Sequence, residues 1–160
     1  MSVLRNILLL ALAFVLQTTW IQALELAAIK PDLILVVLIH VALRGGSTQG
    51  ALLGFGVGFL QDIYMPADLG LNALLMGLTG FGVGYCRSGI VADDVKVQLA
   101  LIFGTVLVYS LVFYLGSSGV AWMDVPYFWI RYSIGRAAYS SLVGALVFAA
   151  LLLRSHFTPA

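Results

Sequence analysis

Charge in this chain is confined to short clusters, and the long stretches between them are what the fold has to accommodate. Six runs contain no Asp, Glu, Lys or Arg: Asn6 to Leu24, Leu33 to Leu43, Gly45 to Gln61, Leu69 to Cys86, Val97 to Met123 and Ala137 to Leu153. A helix needs about 20 largely apolar residues to cross a hydrocarbon layer of about 30 Å, and five of the six runs come near that length. Of the 160 residues, 62% are apolar and 9% charged, whereas a soluble domain carries about a quarter of its residues charged. Lipid is therefore the expected solvent. Backbone groups in lipid must be paired within their own segment, and runs that are continuous rather than alternating disfavour barrel strands. The expected fold is all-α: one polytopic domain spanning residues 1–160, with six transmembrane helices near 6–26, 31–44, 49–63, 69–86, 97–116 and 134–153.

The second run is the exception, because even counted from Pro31 it rises only about 20 Å. One broken span from Pro31 to Gln61 would place Arg44, Gly45, Gly46, Ser47, Thr48 and Gln49 near mid-membrane, at about 2.5 to 3.5 kcal/mol for the arginine alone. Two short helices avoid that cost. Gly45 and Gly46 then end the first of them, Arg44 reaches the headgroups, and a thinned bilayer or flanking residues absorb the mismatch.

The first helix is expected to stay as an anchor, since 19 uncharged residues are too many for a cleaved leader and no small-x-small cleavage site follows. With the N-terminus inside, the inner side holds Arg5, Arg44, Arg87, Lys96 and Arg154 and the outer side Lys30, Arg131 and Arg136. This modest positive-inside bias places both termini in the cytoplasm. Trp122, Tyr127, Phe128 and Trp129 around Pro126 form either a docking segment or an aromatic belt at the outer interface.

Seventeen glycines are unevenly distributed. Gly50, Gly54 and Gly58 recur every four residues, as do Gly80 and Gly84. Such spacing strips one helix face and lets backbones approach, which matters where lipid tails are as apolar as leucine. Packing within the chain is the favoured reading, and a partner helix the other.

Chemistry is hard to place on this sequence. Walker A, HExxH, CxxC and nucleophile-elbow patterns are missing, and Gly54-x-Gly56-x-Gly58 lies in an apolar helix without the preceding strand of a dinucleotide site. Cys86 is the single cysteine, His40 a lone imidazole and His156 a tail residue, so neither a cofactor nor a metal is expected. A net charge of +1 gives no field to gather nucleic acid. Asp62 is the polar residue of interest, since it closes a glycine-rich helix at the negative end of the dipole and needs compensation. It either pairs with a cation or a neighbouring turn, or faces water beside Pro66; Arg131 and Arg136 could partner Asp62 or Asp68, or bind lipid headgroups.

Taken in order, Lys30-Pro31-Asp32-Leu33, then Gly50-x-x-x-Gly54-Phe55, Gly58-Phe59-Leu60-Gln61-Asp62-Ile63 and Leu69-Gly70-Leu71-Asn72-Ala73-Leu74 resemble the MreD family of bacterial rod shape-determining proteins. The specific part runs from Pro31 to Tyr85, with Pro31, Asp32, Asp62, Leu69, Gly70 and Asn72 as its motif residues. The resemblance implies a non-enzymatic inner-membrane scaffold of the cell-elongation machinery that binds the bitopic protein MreC. Through MreC it would reach MreB, RodA and the RodA-associated transpeptidase. It also implies a six-helix fold similar to the substrate-binding subunits of energy-coupling-factor transporters, and hence a second reading as a vitamin-type uptake subunit holding a small molecule near the outer face. Arg44-Gly45-Gly46-Ser47 replaces the aromatic and basic residues that family members carry after the second helix. Copy number, including a homo-oligomer, stays open.

Overall fold

The computed structural model describes residues 3–19, 31–64, 68–87, 95–117 and 123–157, with the side chains of Val95, Phe128 and 147–157 left aside. The expected extension of the first helix to residue 26, together with Lys30, Pro66, Trp122 and the Arg154 and His156 side chains, lies outside what is described. Within it the helices are α1 (Val3–Thr19), α2 (Leu33–Gly45), α3 (Ser47–Tyr64), α4 (Leu71–Cys86), α5 (Val95–Gly116), the single turn α6 (Val125–Phe128) and α7 (Ile134–Phe157). A π-helical turn, Trp129–Ser133, joins α6 to α7. Among the described residues one helical segment, Lys96–Gly116, is by itself long and apolar enough to cross a membrane; α1, α2 and α4 are shorter apolar helices.

α2 is short, ending at the glycines expected to stop it, and the other helices enclose it. Ile34, Leu35, Leu38, Ile39, Val41 and Ala42 all retain 1% exposure or less, and α1, α3, α4, α5 and α7 all pack around them. A helix apolar on every side belongs in a core. Enclosed by other helices, α2 has little contact with lipid, so the thinned bilayer invoked for it is unnecessary. Its ends are set locally. Asp32 caps the start by accepting from the Leu35 N–H at 3.1 Å. Gly46 ends it at φ 88°, its N–H reaching the Ala42 carbonyl at 2.9 Å, and α3 begins at the next residue.

The antiparallel pair α3–α4 is the tightest contact in the bundle, and its glycines explain the distance. A Cβ at Gly50 would overlap the Gly80 carbonyl, one at Gly54 the Met76 carbonyl, and one at Gly58 the Asn72 carbonyl. From the facing side, Gly80 meets Gly50 and Gly84 meets Ser47. Successive turns of the two helices thus touch backbone to backbone, an arrangement only hydrogen side chains permit. The outer surface is the reverse of a soluble protein's. Leu52, Tyr85, Leu142 and Leu146 are all at least 66% exposed, whereas Asn6, Asp32, Asp62, Asn72 and Ser140 are buried.

Candidate functional site

Most of the buried polar groups, Asp32, Asp62, Asn72, Ser133 and Ser140 among them, lie toward one end of the bundle, where α1, α3 and α5 finish and α2, α4 and α7 begin, while Asn6 and Gln98 lie toward the other. We call the first of these the distal end. Asp62, in the last turn of α3, is fully buried. Its two carboxylate oxygens accept from the Asn72 N–H at 3.1 Å and the Ala73 N–H at 2.9 Å. These amides belong to the first turn of α4, whose own N-cap, Gly70, stands at φ 94° and has no side chain to offer. Asp62 therefore caps a helix that is not its own. The positive end of the α4 dipole and two charge-assisted hydrogen bonds compensate the carboxylate that closes α3.

Asn72 extends the lock, because its Oδ1 accepts the hydroxyl proton of Tyr109 on α5. A second lock joins α2 to α7. Arg136 Nη2 lies 2.7 Å from Asp32 Oδ2, and the Asp32 N–H donates to the Ser140 hydroxyl at 2.9 Å. Asp32 is 1% exposed and Arg136 34%, so the guanidinium keeps a route outward that the carboxylate lacks. Gln17 of α1 accepts the Ile34 N–H at 3.0 Å. Asp68 receives the Ser117 hydroxyl at 2.8 Å.

Several motif residues thus meet in space: Asp62, Gly70 and Asn72 in one lock, Asp32 in the other with Pro31 buried beside it. Leu69 is 64% exposed and belongs to neither. The partner of Arg136 is Asp32, rather than the Asp62 or Asp68 considered from sequence. Arg131 instead lies 5.9 Å from the centre of the Tyr132 ring. His40 is half-buried in α2. No group of three or more His, Cys, Asp or Glu among the described residues could hold a metal ion.

Glycine spacing also hides a feature that pattern reading passes over. Gly82 and Gly104 have open space where a Cβ would stand. They sit with Thr79, Ala100 and Thr105 in a groove of about 370 Å³ between α4 and α5. The available signal was that α4 carries glycine on two faces, with Gly80 and Gly84 turned inward and Gly82 outward.

Helices with an apolar exterior and polar groups locked inside define an integral membrane bundle. The chain belongs to the MreD family: the family described as rod shape-determining protein MreD matches residues 1–154. It is thereby a bacterial membrane protein with a role in rod shape determination. No curated protein and no solved structure matches the chain.

Proposed function

We propose that the protein is a non-enzymatic, multi-pass scaffold of the cell-wall elongation complex, which binds MreC and helps to position peptidoglycan synthesis. Both termini lie in the cytoplasm in this reading, because Arg5, Arg44, Arg87 and Lys96 stand at the end opposite Arg131 and Arg136. Gly50, Gly54, Gly58, Gly80 and Gly84 fasten α3 to α4. Pro31, Asp32, Asp62, Gly70 and Asn72 hold the distal end, so that the body presents one fixed surface.

The observation that carries the reading is the open groove between α4 and α5. Its floor of small residues allows close approach of another helix, and the Thr79 and Thr105 hydroxyls can hydrogen-bond across such a contact. The single span of MreC is the occupant we assign to it. Replacing Gly82 and Gly104 with leucine fills the groove while leaving the internal contacts untouched. Stability should stay within about 0.5 kcal/mol, co-purification of MreC should fall at least tenfold, and host rods should round up. A folded double variant that retains MreC would exclude the groove as the contact.

A further inference from the structure

The distal locks surround a space that they do not fill. A cavity of about 270 Å³ lies among α1, α2, α3, α4, α5 and α7, well above the space that a single water needs. Its wall has two characters. Phe14, Tyr64, Tyr109 and Phe113 contribute rings, the first two with centroids 6.0 Å apart and the last two stacked at 6.2 Å. Gln61 and Arg136 contribute polar groups.

Arg136 is the informative member. One of its nitrogens is engaged by Asp32, but its Nε is buried without a hydrogen-bond partner. Native interiors seldom leave a guanidinium N–H dry and unpaired, and each such group calls for an explanation. The two nearby carboxylates do not supply the missing acceptor. Asp32 is shared between Arg136 and the Leu35 N–H at the positive end of α2, and Asp62 is engaged by the first turn of α4. Arg136 thus lines an aromatic-walled cavity with its charge paired to Asp32 but one N–H lacking an acceptor from the protein.

We propose that this cavity binds a small amphiphile whose carboxylate or phosphate head is held by Arg136 and whose apolar body lies among the four rings. A bidentate acceptor suits the planar donor fork of arginine, and rings with a few convergent polar groups make the usual wall of a small-molecule pocket. The head could belong to an anionic bilayer lipid reaching in or to a free amphiphile. Binding here is independent of whether MreC occupies the α4–α5 groove.

The test uses the full chain in phosphatidylcholine nanodiscs and measures saturable binding of octyl phosphate, octanoate and octanol against empty discs. Both anions should saturate one site and octanol should not. Arg136→Gln should weaken the anions at least tenfold. Gln61→Trp, which fills the cavity but keeps the Arg136–Asp32 pair, should do the same if loss of that pair prevents folding of the first variant. Discs containing phosphatidylglycerol separate the sources: a bilayer lipid as natural occupant competes and lowers apparent affinity at least tenfold, whereas a free amphiphile binds unchanged. Absence of saturable anion binding, equal binding of octanol, or binding that survives Gln61→Trp would overturn the assignment.

Discussion

Asp62 keeps a carboxylate in a fully buried position because two amides of another helix point at it. Each hydrogen bond to a charged group contributes about 1.5 to 3 kcal/mol, and the amides lose their acceptor when the group is removed. Asp62→Ala should therefore lower unfolding free energy in a denaturing-detergent titration by about 3 kcal/mol, and Asp62→Asn, which keeps one acceptor, by roughly half as much. Gly70 belongs to the same device through its backbone. At φ 94° an alanine is strained even with open space around it, so Gly70→Ala should cost about 1 kcal/mol in the same titration. A Gly70→Ala variant as stable as the parent would mean that the turn into α4 tolerates another conformation. Asp32 works differently, since it joins an N-cap to a cross-bundle ion pair and binds two helices with one side chain. How these residues are used was only partly legible in the sequence. That Asp62 needed compensation follows from its place at a helix C-terminus, but which group supplies it depends on a turn eight residues further on. The Arg136–Asp32 pair spans 104 positions and leaves no local trace.

At the scale of elements, helical periodicity makes the glycine faces readable and lipid makes them necessary, yet spacing alone does not say which helix a face meets. The structure turns Gly54 toward the Met76 carbonyl and Gly56 toward open space, two residues apart on the same helix. That contrast is testable. Gly54→Ala forces backbones apart and should cost about 1 to 3 kcal/mol by overpacking, while Gly56→Ala should be neutral or slightly stabilising because alanine favours helix by up to about 1 kcal/mol. Equal effects in a thermal unfolding series would contradict the packing of α3 on α4. The same reasoning explains why α2 was readable as a helix but not as a core. Its eleven uncharged residues record what lipid or protein would accept equally, and only the five helices around it decide between them. The α4–α5 groove was hidden for a related reason, since Gly82 and Gly104 lie in different helices and share no spacing.

For the whole molecule, the alternation of helix directions fixes which termini share an end, and lengths then constrain how the bundle sits in lipid. α5, with 22 residues, rises about 33 Å, whereas α4, with 16, rises about 24 Å at 1.5 Å per residue. A bilayer meeting both must thin beside α4 or let α5 tilt. In the six-pass arrangement proposed above, the α4 end carrying Cys86 and the α5 end carrying Ser117 would lie on opposite sides of this layer. Cys86 is exposed, next to Arg87, whose guanidinium reaches the Arg44 carbonyl at 3.5 Å. A membrane-impermeant maleimide should label Cys86 in inverted vesicles and not in intact spheroplasts. In a Cys86→Ser background, Ser117→Cys should show the opposite pattern, with a reduced rate because its neighbour Asp68 partly shields it. Labelling of both positions from the same side would mean that α5 does not cross the bilayer. The α4–α5 groove would then no longer face the hydrocarbon layer in which a single-span partner lies, and its assignment to MreC would fail.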